Sequence, residues 1–386
     1  GFLSLWIVFI SYYGDIFSKL KKLSFLPLAL VGGLGGSLAY WSAYKLGAIS
    51  ILPANYSFYL LYVFIFWAGF FPFSMWLFHD EKYWDYILDK SIIFSFDKTG
   101  FQRHKSYFKE DLSQKNLGKK FSLVTGGTSG IGMEVSKELS RLGCEVSITG
   151  RDKQRGSNVE KNNLNLSFYE LDMAKWSELD DFCKNSLKYD YIVLNAGGMP
   201  ENLTLSDFDI EYQCASQLLG HYYLIYLLNE YGKISKNARI VWVSSGGMYL
   251  KKLDITNLFN NEKYDKVMTY ANVKRGQVTL VEEISKLDEW KDFKITTMHP
   301  GWVSTNGLKD SLPVFSNVMK NRLRDLKEGA DTILWLLLTK EKIESGRFYF
   351  DRKVNSPYLT SNFNPSKEKR RLLLEKIENY RLKYFS

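Results

Sequence analysis

The chain has 386 residues and a net charge of +9, from 51 Lys and Arg against 42 Asp and Glu. That length buries a full core and leaves room for segments beyond a single domain. The basic excess suits an anionic membrane surface or an anionic cofactor. Zinc-finger spacing, an RNA-binding signature and a basic helix with interleaved aromatics are all absent, so nucleic acid is not an expected partner. The cysteines (Cys144, Cys183, Cys214) and histidines (His79, His104, His221, His299) are scattered and no CxxC occurs, so neither a disulfide framework nor a metal site is expected.

Three apolar runs open the chain. Residues 1–14 are too short to span a bilayer unaided. Residues 24–44 carry no charge but are interrupted by Pro27 and four glycines, of which Gly32 and Gly36 form a GxxxG that lets another helix approach. Residues 56–78, "YSFYLLYVFIFWAGFFPFSMWLF", lie within a stretch from Leu46 to His79 that has no Lys, Arg, Asp or Glu. At about 1.5 Å per residue, a helix of that length crosses a bilayer core of about 30 Å. Pro72 near one end is a kink that membrane helices tolerate. Residues 1–79 are therefore expected to be a membrane anchor of two or three transmembrane helices. Lys19, Lys21 and Lys22 between the first two runs, and the basic residues after the third, put the large domain on the cytosolic or mitochondrial matrix side. Residues 80–119 are polar and aromatic, and read as a connector lying on the bilayer surface with Trp84 and Tyr86 as anchors.

From Lys120 the pattern changes. "FSLV", "EVSIT", "YIVLN", "RIVWV", "KITTM" and "RFYF" are strand candidates separated by amphipathic stretches. This predicts an α/β domain over 120–352, a doubly wound parallel sheet with helices on both faces. "TGGTSGIG", residues 125–132, falls between the first strand and the helix beginning "MEVSKEL". Gly126 permits the tight turn, Gly130 lets backbone approach a pyrophosphate, and Gly132 lets the helix pack on the strand.

These residues, with others that follow in order, resemble the short-chain dehydrogenase/reductase family and its Rossmann-type fold. The loop fits TGxxxGxG; "LD" ends at Asp172; "NAG" is Asn195–Ala196–Gly197; "VSS" ends a strand; "YANVK" holds Tyr270 and Lys274; "HPGWVST" supplies a PG motif. Within the family, "VSSGGM", "YANVKRGQ", "HPGWV" and "GRFYFDRK" are most like the dehydrogenase/reductase SDR family member 12 branch. The resemblance implies an oxidoreductase. It places cofactor contacts on Gly126, Thr128, Ser129, Gly130, Ile131 and Gly132. It adds Asp172 at the adenine, Asn195, Ala196 and Gly197, then Pro300, Gly301, Val303 and Thr305, the last at the nicotinamide amide.

Tyr270 and Lys274 are four apart on a helix and face the same way. The Lys274 ammonium is expected to stabilise the tyrosinate, so that Tyr270 exchanges a proton with a substrate hydroxyl or carbonyl. Ser245, rather than Ser244, is expected to hydrogen-bond the reacting oxygen. At the end of the second strand, "SITGRD" offers Gly150 and Arg151 where an acidic residue would select NAD, so NADP(H) is the expected cofactor. One position departs from the family: Gln217 stands where an Asn completes the catalytic tetrad and proton relay, and its extra methylene puts that relay in doubt. Two functions remain in play, an oxidoreductase acting on a small or lipid-like alcohol or carbonyl, and a weakly active accessory subunit of a membrane complex. The insertion at 246–269 is expected to border the substrate cleft, its Leu and Phe residues serving either an apolar substrate or local packing. Residues 353–386 are an amphipathic tail, capped by Asn364 with Pro365 in the first turn; Leu372, Leu373, Ile377 and Leu382 face a membrane, a partner or the domain core.

Overall fold

The computed structural model describes residues 20, 23–47, 56–77, 85, 88–89, 91–260 and 264–384. The first apolar run, Lys19, Lys21, Lys22, Trp84 and Tyr86 lie outside these. The chain forms two units, Gly1–Ser91 and Ile92–Ser386.

In the first unit, α1 (Phe25–Lys45) packs on α2 (Tyr56–Leu77). Both are long and apolar enough to cross a membrane. The glycines explain their approach: a Cβ at Gly32 would strike Phe71 and the Trp67 carbonyl, and one at Gly36 would strike the Trp67 ring. The GxxxG face is thus used within the chain. Phe25, Leu26, Leu34, Leu38, Phe58 and Tyr62 point outward and are more than half exposed. Pro72 lies inside α2.

The second unit opens with two short helices, α3 (Ile92–Phe96) and α4 (Lys98–Lys105). There follow β1 (Phe121–Thr125), α5 (Gly130–Arg141), β2 (Glu145–Gly150), α6 (Lys153–Lys161), β3 (Leu166–Glu170), α7 (Trp176–Asn185) and β4 (Tyr189–Leu194). A π-helical turn, Cys214–Gly220, leads into α8 (His221–Glu230) and β5 (Ile234–Val243). Then come α9 (Ile255–Asn260), α10 (Lys266–Ile284), β6 (Lys294–His299), α11 (Asn306–Ser311), α12 (Pro313–Val318) and α13 (Leu326–Leu338). The chain ends with β7 (Phe348–Phe350), β8 (Lys353–Val354) and α14 (Lys367–Tyr384).

The strands make one sheet in the order β3-β2-β1-β4-β5-β6-β7-β8, parallel throughout except for the antiparallel β7–β8 pair. Alternation along each strand feeds two cores. Leu123, Ile192, Trp242 and Ile295 bury against α7, α8 and α10 on one face. Val124, Ile148, Val193 and Met298 bury against α5 and α13 on the other. The six strand candidates are present. Two strands had no sequence candidate: β3, an edge-side strand whose residues are mostly exposed, and the two-residue β8.

Two expectations change here, and one open alternative closes. Residues 92–119 do not form a separate surface connector, because Phe96, Phe101, His104 and Leu112 are buried in the second unit. Phe96 packs with Met248, Tyr249, Val278, Phe348 and Phe350. Arg324, fully buried, donates to the carbonyls of Ser95, Phe96 and Asp97, and pairs with Asp351 at 2.6 Å. Burial alone would raise the Asp351 carboxyl, but Arg324 and His104 (2.6 Å away) hold it below its ordinary value. Second, Leu253, Leu258 and Phe259 of the 246–269 insertion are core residues, so their apolarity serves packing. Third, α14 starts at Lys367 with the Ser366 hydroxyl accepting from Lys369 N, in place of an Asn364 cap; Asn364 instead accepts from Arg370. Leu373 and Ile377 bury in the domain core, while Leu372 and Leu382 stay exposed.

Candidate active site

The loop after β1 is built by close approach. Gly126 takes φ +66°, and a Cβ there would come within 2.8 Å of Ala196 Cα. Gly130 also lies in the left-handed region at φ +56° and faces the Thr305 side chain. Gly132 abuts the Gly126 carbonyl and Asn195, whose Nδ2 donates to the carbonyls of Thr125 (3.1 Å) and Gly126 (3.3 Å). Ser129 stands at the N-terminus of α5, Thr128 lies against Gly150, and Ile131 packs on the core. A cavity of about 320 Å³ is lined by Thr128, Ser129, Gly130, Ser304, Thr305 and Asn306. Backbone amides at a helix N-terminus beside open volume fit a dinucleotide pyrophosphate. The Thr305 hydroxyl caps α11, accepting from Leu308 N at 3.0 Å.

His221, in the sequence only one of four scattered histidines, ties this loop to the π turn. The Gln217 carbonyl can only accept, so the proton sits on His221 Nδ1 (3.1 Å) and Nε2 accepts from Thr125 Oγ1 (2.9 Å). The same Thr125 oxygen accepts from Asn195 N and Ala196 N. Burial, with the Lys274 charge adding, pulls the imidazole down to about 3, so it is neutral.

At the C-terminal end of β5, Ser244 is buried and donates to the Lys274 carbonyl, whereas Ser245 is half-buried and its hydroxyl lies by Tyr270. Asp265 caps α10, accepting from Val267 N and Met268 N, and the helix carries Tyr270 and Lys274 on one side. Lys274 Nζ sits 5.3 Å from the Tyr270 ring centroid and donates to Val243 O at 3.0 Å. Burial brings its ammonium down to about 7. Burial also raises the Tyr270 phenol, with the Ser245 hydrogen bond pulling it part of the way back. That direction is opposite to the expected one, because Lys274 addresses the ring face and the Val243 carbonyl.

Gln217 is fully buried. Its Nε2 donates to Gly198 O at 2.7 Å, and its own carbonyl accepts from Gln277 Nε2 at 2.8 Å. Its Oε1, tight against Gly197, finds no hydrogen-bond partner among the described residues. Gln277 was legible in principle: it follows Tyr270 by seven residues, on the same helix face as Lys274.

On the other side, Asp172 accepts from Ala174 N and from the phenol of Tyr212. Arg151, at the end of β2, is exposed and donates to the same phenol. Beyond β6, Gly301 takes φ +80° against the Arg324 side chain, Pro300 O accepts from Arg324, and Val303 bridges to Arg324 and packs on Gly329. His299 Nδ1 accepts from Gly246 N and Gly301 N, fixing the loops that bear Ser245 and the PG motif.

A doubly wound sheet with a glycine loop after β1, and a Ser, a Tyr and a Lys gathered at the ends of β5 and α10, defines a dinucleotide-dependent oxidoreductase fold. Residues 120–313 match the short chain dehydrogenase family, and the chain belongs to it. Dehydrogenase/reductase SDR family member 12 of Homo sapiens is 34% identical over 301 residues, covering 73% of this chain and 93% of that protein. Retinol dehydrogenase 12 of Homo sapiens is 28% identical over 250 residues, covering 61% of this chain and 78% of that one. An uncharacterized protein from Mycobacterium paratuberculosis shares the fold with TM-score 0.56 at 19% identity, covering 68% of this chain and 94% of that chain. Residues 2–73 match a family of unknown function, DUF2878. The family binds nicotinamide cofactors, which the loop geometry accommodates.

Proposed function

We propose that this chain is a membrane-anchored, NADP(H)-dependent oxidoreductase that interconverts an alcohol and a carbonyl on an apolar, lipid-like substrate. The observation that carries it is the grouping of Ser245, Tyr270 and Lys274 beside the glycine loop. The nicotinamide supplies hydride transfer when bound. Tyr270 gives its phenolic proton to a carbonyl oxygen being reduced, or takes one from an alcohol being oxidised. Ser245 holds that oxygen and its hydrogen bond eases loss of the phenolic proton, while Lys274, when protonated, sets positive charge over the ring face. Arg151 at the end of β2 supports NADP(H), since its guanidinium suits a 2′-phosphate. The retinol dehydrogenases among the relatives support an apolar alcohol as substrate. The apolar helices α1 and α2 support an integral anchor within residues 1–91, with the enzyme unit on the cytosolic or matrix side.

The test is NADPH-dependent reduction of a long-chain apolar aldehyde by the full chain in detergent. Tyr270→Phe should lower turnover by about 100-fold or more while leaving NADPH affinity within about threefold. Undiminished turnover in that variant would remove the proposed acid and base. One observation favours a second reading, a weakly active accessory subunit of a membrane complex. Both the side-chain nitrogen and the backbone carbonyl of Gln217 are already engaged, by Gly198 and by Gln277 with His221. A faster Gln217→Asn variant would support it, as would purification only within a larger assembly.

A further inference from the structure

Arg151 does not stand alone at the end of β2. Its Nη1 donates to the Tyr212 phenol at 2.7 Å, and its guanidinium lies 5.4 Å from the centre of the Tyr212 ring. The phenol in turn donates to Asp172, lying 2.8 Å from Oδ1 and 2.9 Å from Oδ2. Burial, and then the Asp172 charge, push the Tyr212 hydroxyl well above its usual range, so it remains a donor. The tyrosine is itself fixed: its N–H donates to Thr204 O and its carbonyl accepts from the Ser216 hydroxyl at 2.6 Å. Three residues from three distant parts of the chain thus make one row across the strand ends.

We infer that Tyr212 is the positioning residue for cofactor selection, holding the Arg151 guanidinium at the ribose end of the site and tying it to Asp172. The inference rests on the NADP(H) reading above. A guanidinium has five donors in a planar fork. One goes to Tyr212, and the others stay available for a bidentate grip on a phosphate. An exposed arginine samples many rotamers, and ordering it on binding costs affinity. Tyr212 restricts that sampling beforehand with one hydrogen bond and one ring face. A purely structural tyrosine would affect every nucleotide alike; this one should affect those carrying a 2′-phosphate.

The experiment titrates NADPH and NADH by fluorescence against the full-length protein in detergent. It compares wild type, Tyr212→Phe, Arg151→Ala and the double variant, with 2′,5′-ADP and 5′-AMP as competitors that read the phosphate apart from the nicotinamide. Phe keeps the ring and its packing and removes only the hydroxyl. Tyr212→Phe should shrink the NADPH-to-NADH preference by about threefold to tenfold, with NADH affinity within about twofold of wild type. In the Arg151→Ala background the same change should leave the preference where it is. Equal weakening of both cofactors, an unchanged preference, or additive effects in the double variant would overturn the inference while leaving the NADP(H) reading intact. A wild type without preference would remove both, and shows itself before any variant is made.

Discussion

Protonation at His221 and His299 has different consequences from protonation at the surface. His299 Nδ1 accepts from two backbone amides, and His221 Nε2 accepts from Thr125, so a second proton on either ring breaks a bond that fixes an active-site loop. Burial pulls both down to about 3 from an ordinary value near 6.5. Between those values the unfolded chain binds more protons than the folded one, so stability is lost as pH falls below about 6.5. The loss is about 2 kcal/mol per histidine by pH 5, as an order of magnitude. Melting temperature in detergent should therefore drop between about pH 7.5 and pH 5, and drop less in His221→Gln; a level profile contradicts the neutral, buried assignment. Residues of the site differ in how far the sequence exposes them. Tyr270 and Lys274 are legible because one helix holds both. Tyr212 and His221 are not, since their partners come from other strands and only the closed sheet brings them together.

At the level of elements, the short helices α3 and α4 are the main departure from the sequence reading. Their aromatic and basic residues fit a bilayer surface as well as a protein groove, and composition cannot separate the two. What decides is the groove itself: Phe96 meets His299 edge-on at 4.4 Å between ring centres and Phe350 at 5.2 Å. Truncating a buried phenylalanine costs about 3–5 kcal/mol through lost transfer energy and the cavity left behind. Phe96→Ala should therefore lower the melting temperature sharply and weaken turnover, since Phe96 also touches Gly246, next to Ser245. A variant as stable as wild type would mean that the segment is dispensable. The central strands were legible because their apolar residues run continuously and are buried on both faces. Strand β3 was not, having Glu170 and half-exposed aromatics where an interior strand has Val and Ile.

For the whole molecule, the division at Ser91 makes two deletions informative. Removing residues 1–91 takes away α1 and α2 and should release the enzyme unit from the bilayer with NADPH binding retained. Removing residues 1–119 also takes away Phe96, Phe101, His104 and Leu112, and should leave an unstable product despite an intact glycine loop and sheet. The full chain should resist carbonate extraction from membranes. Carbonate release of the undeleted protein would leave peripheral attachment only, and a stable 120–386 product would restore the boundary read from the sequence. The two long apolar helices were legible from length and lack of charge alone; where the folded unit begins was not.

Residues 92–105 are also the first of their unit to be synthesised, yet their seat is made by its second half. Phe96 is received by Tyr249, Trp302, Phe348 and Phe350, and the carbonyls beside it by Arg324, which Asp351 holds. On the ribosome the aromatic side chains of this segment must wait without their seat until some 250 further residues (about 12–50 s at the ordinary elongation rate) have emerged. Its contacts are among the most distant in sequence that the fold contains, and should close late in refolding. Amide exchange in α4 should accordingly gain protection after β1 and β4 have gained theirs.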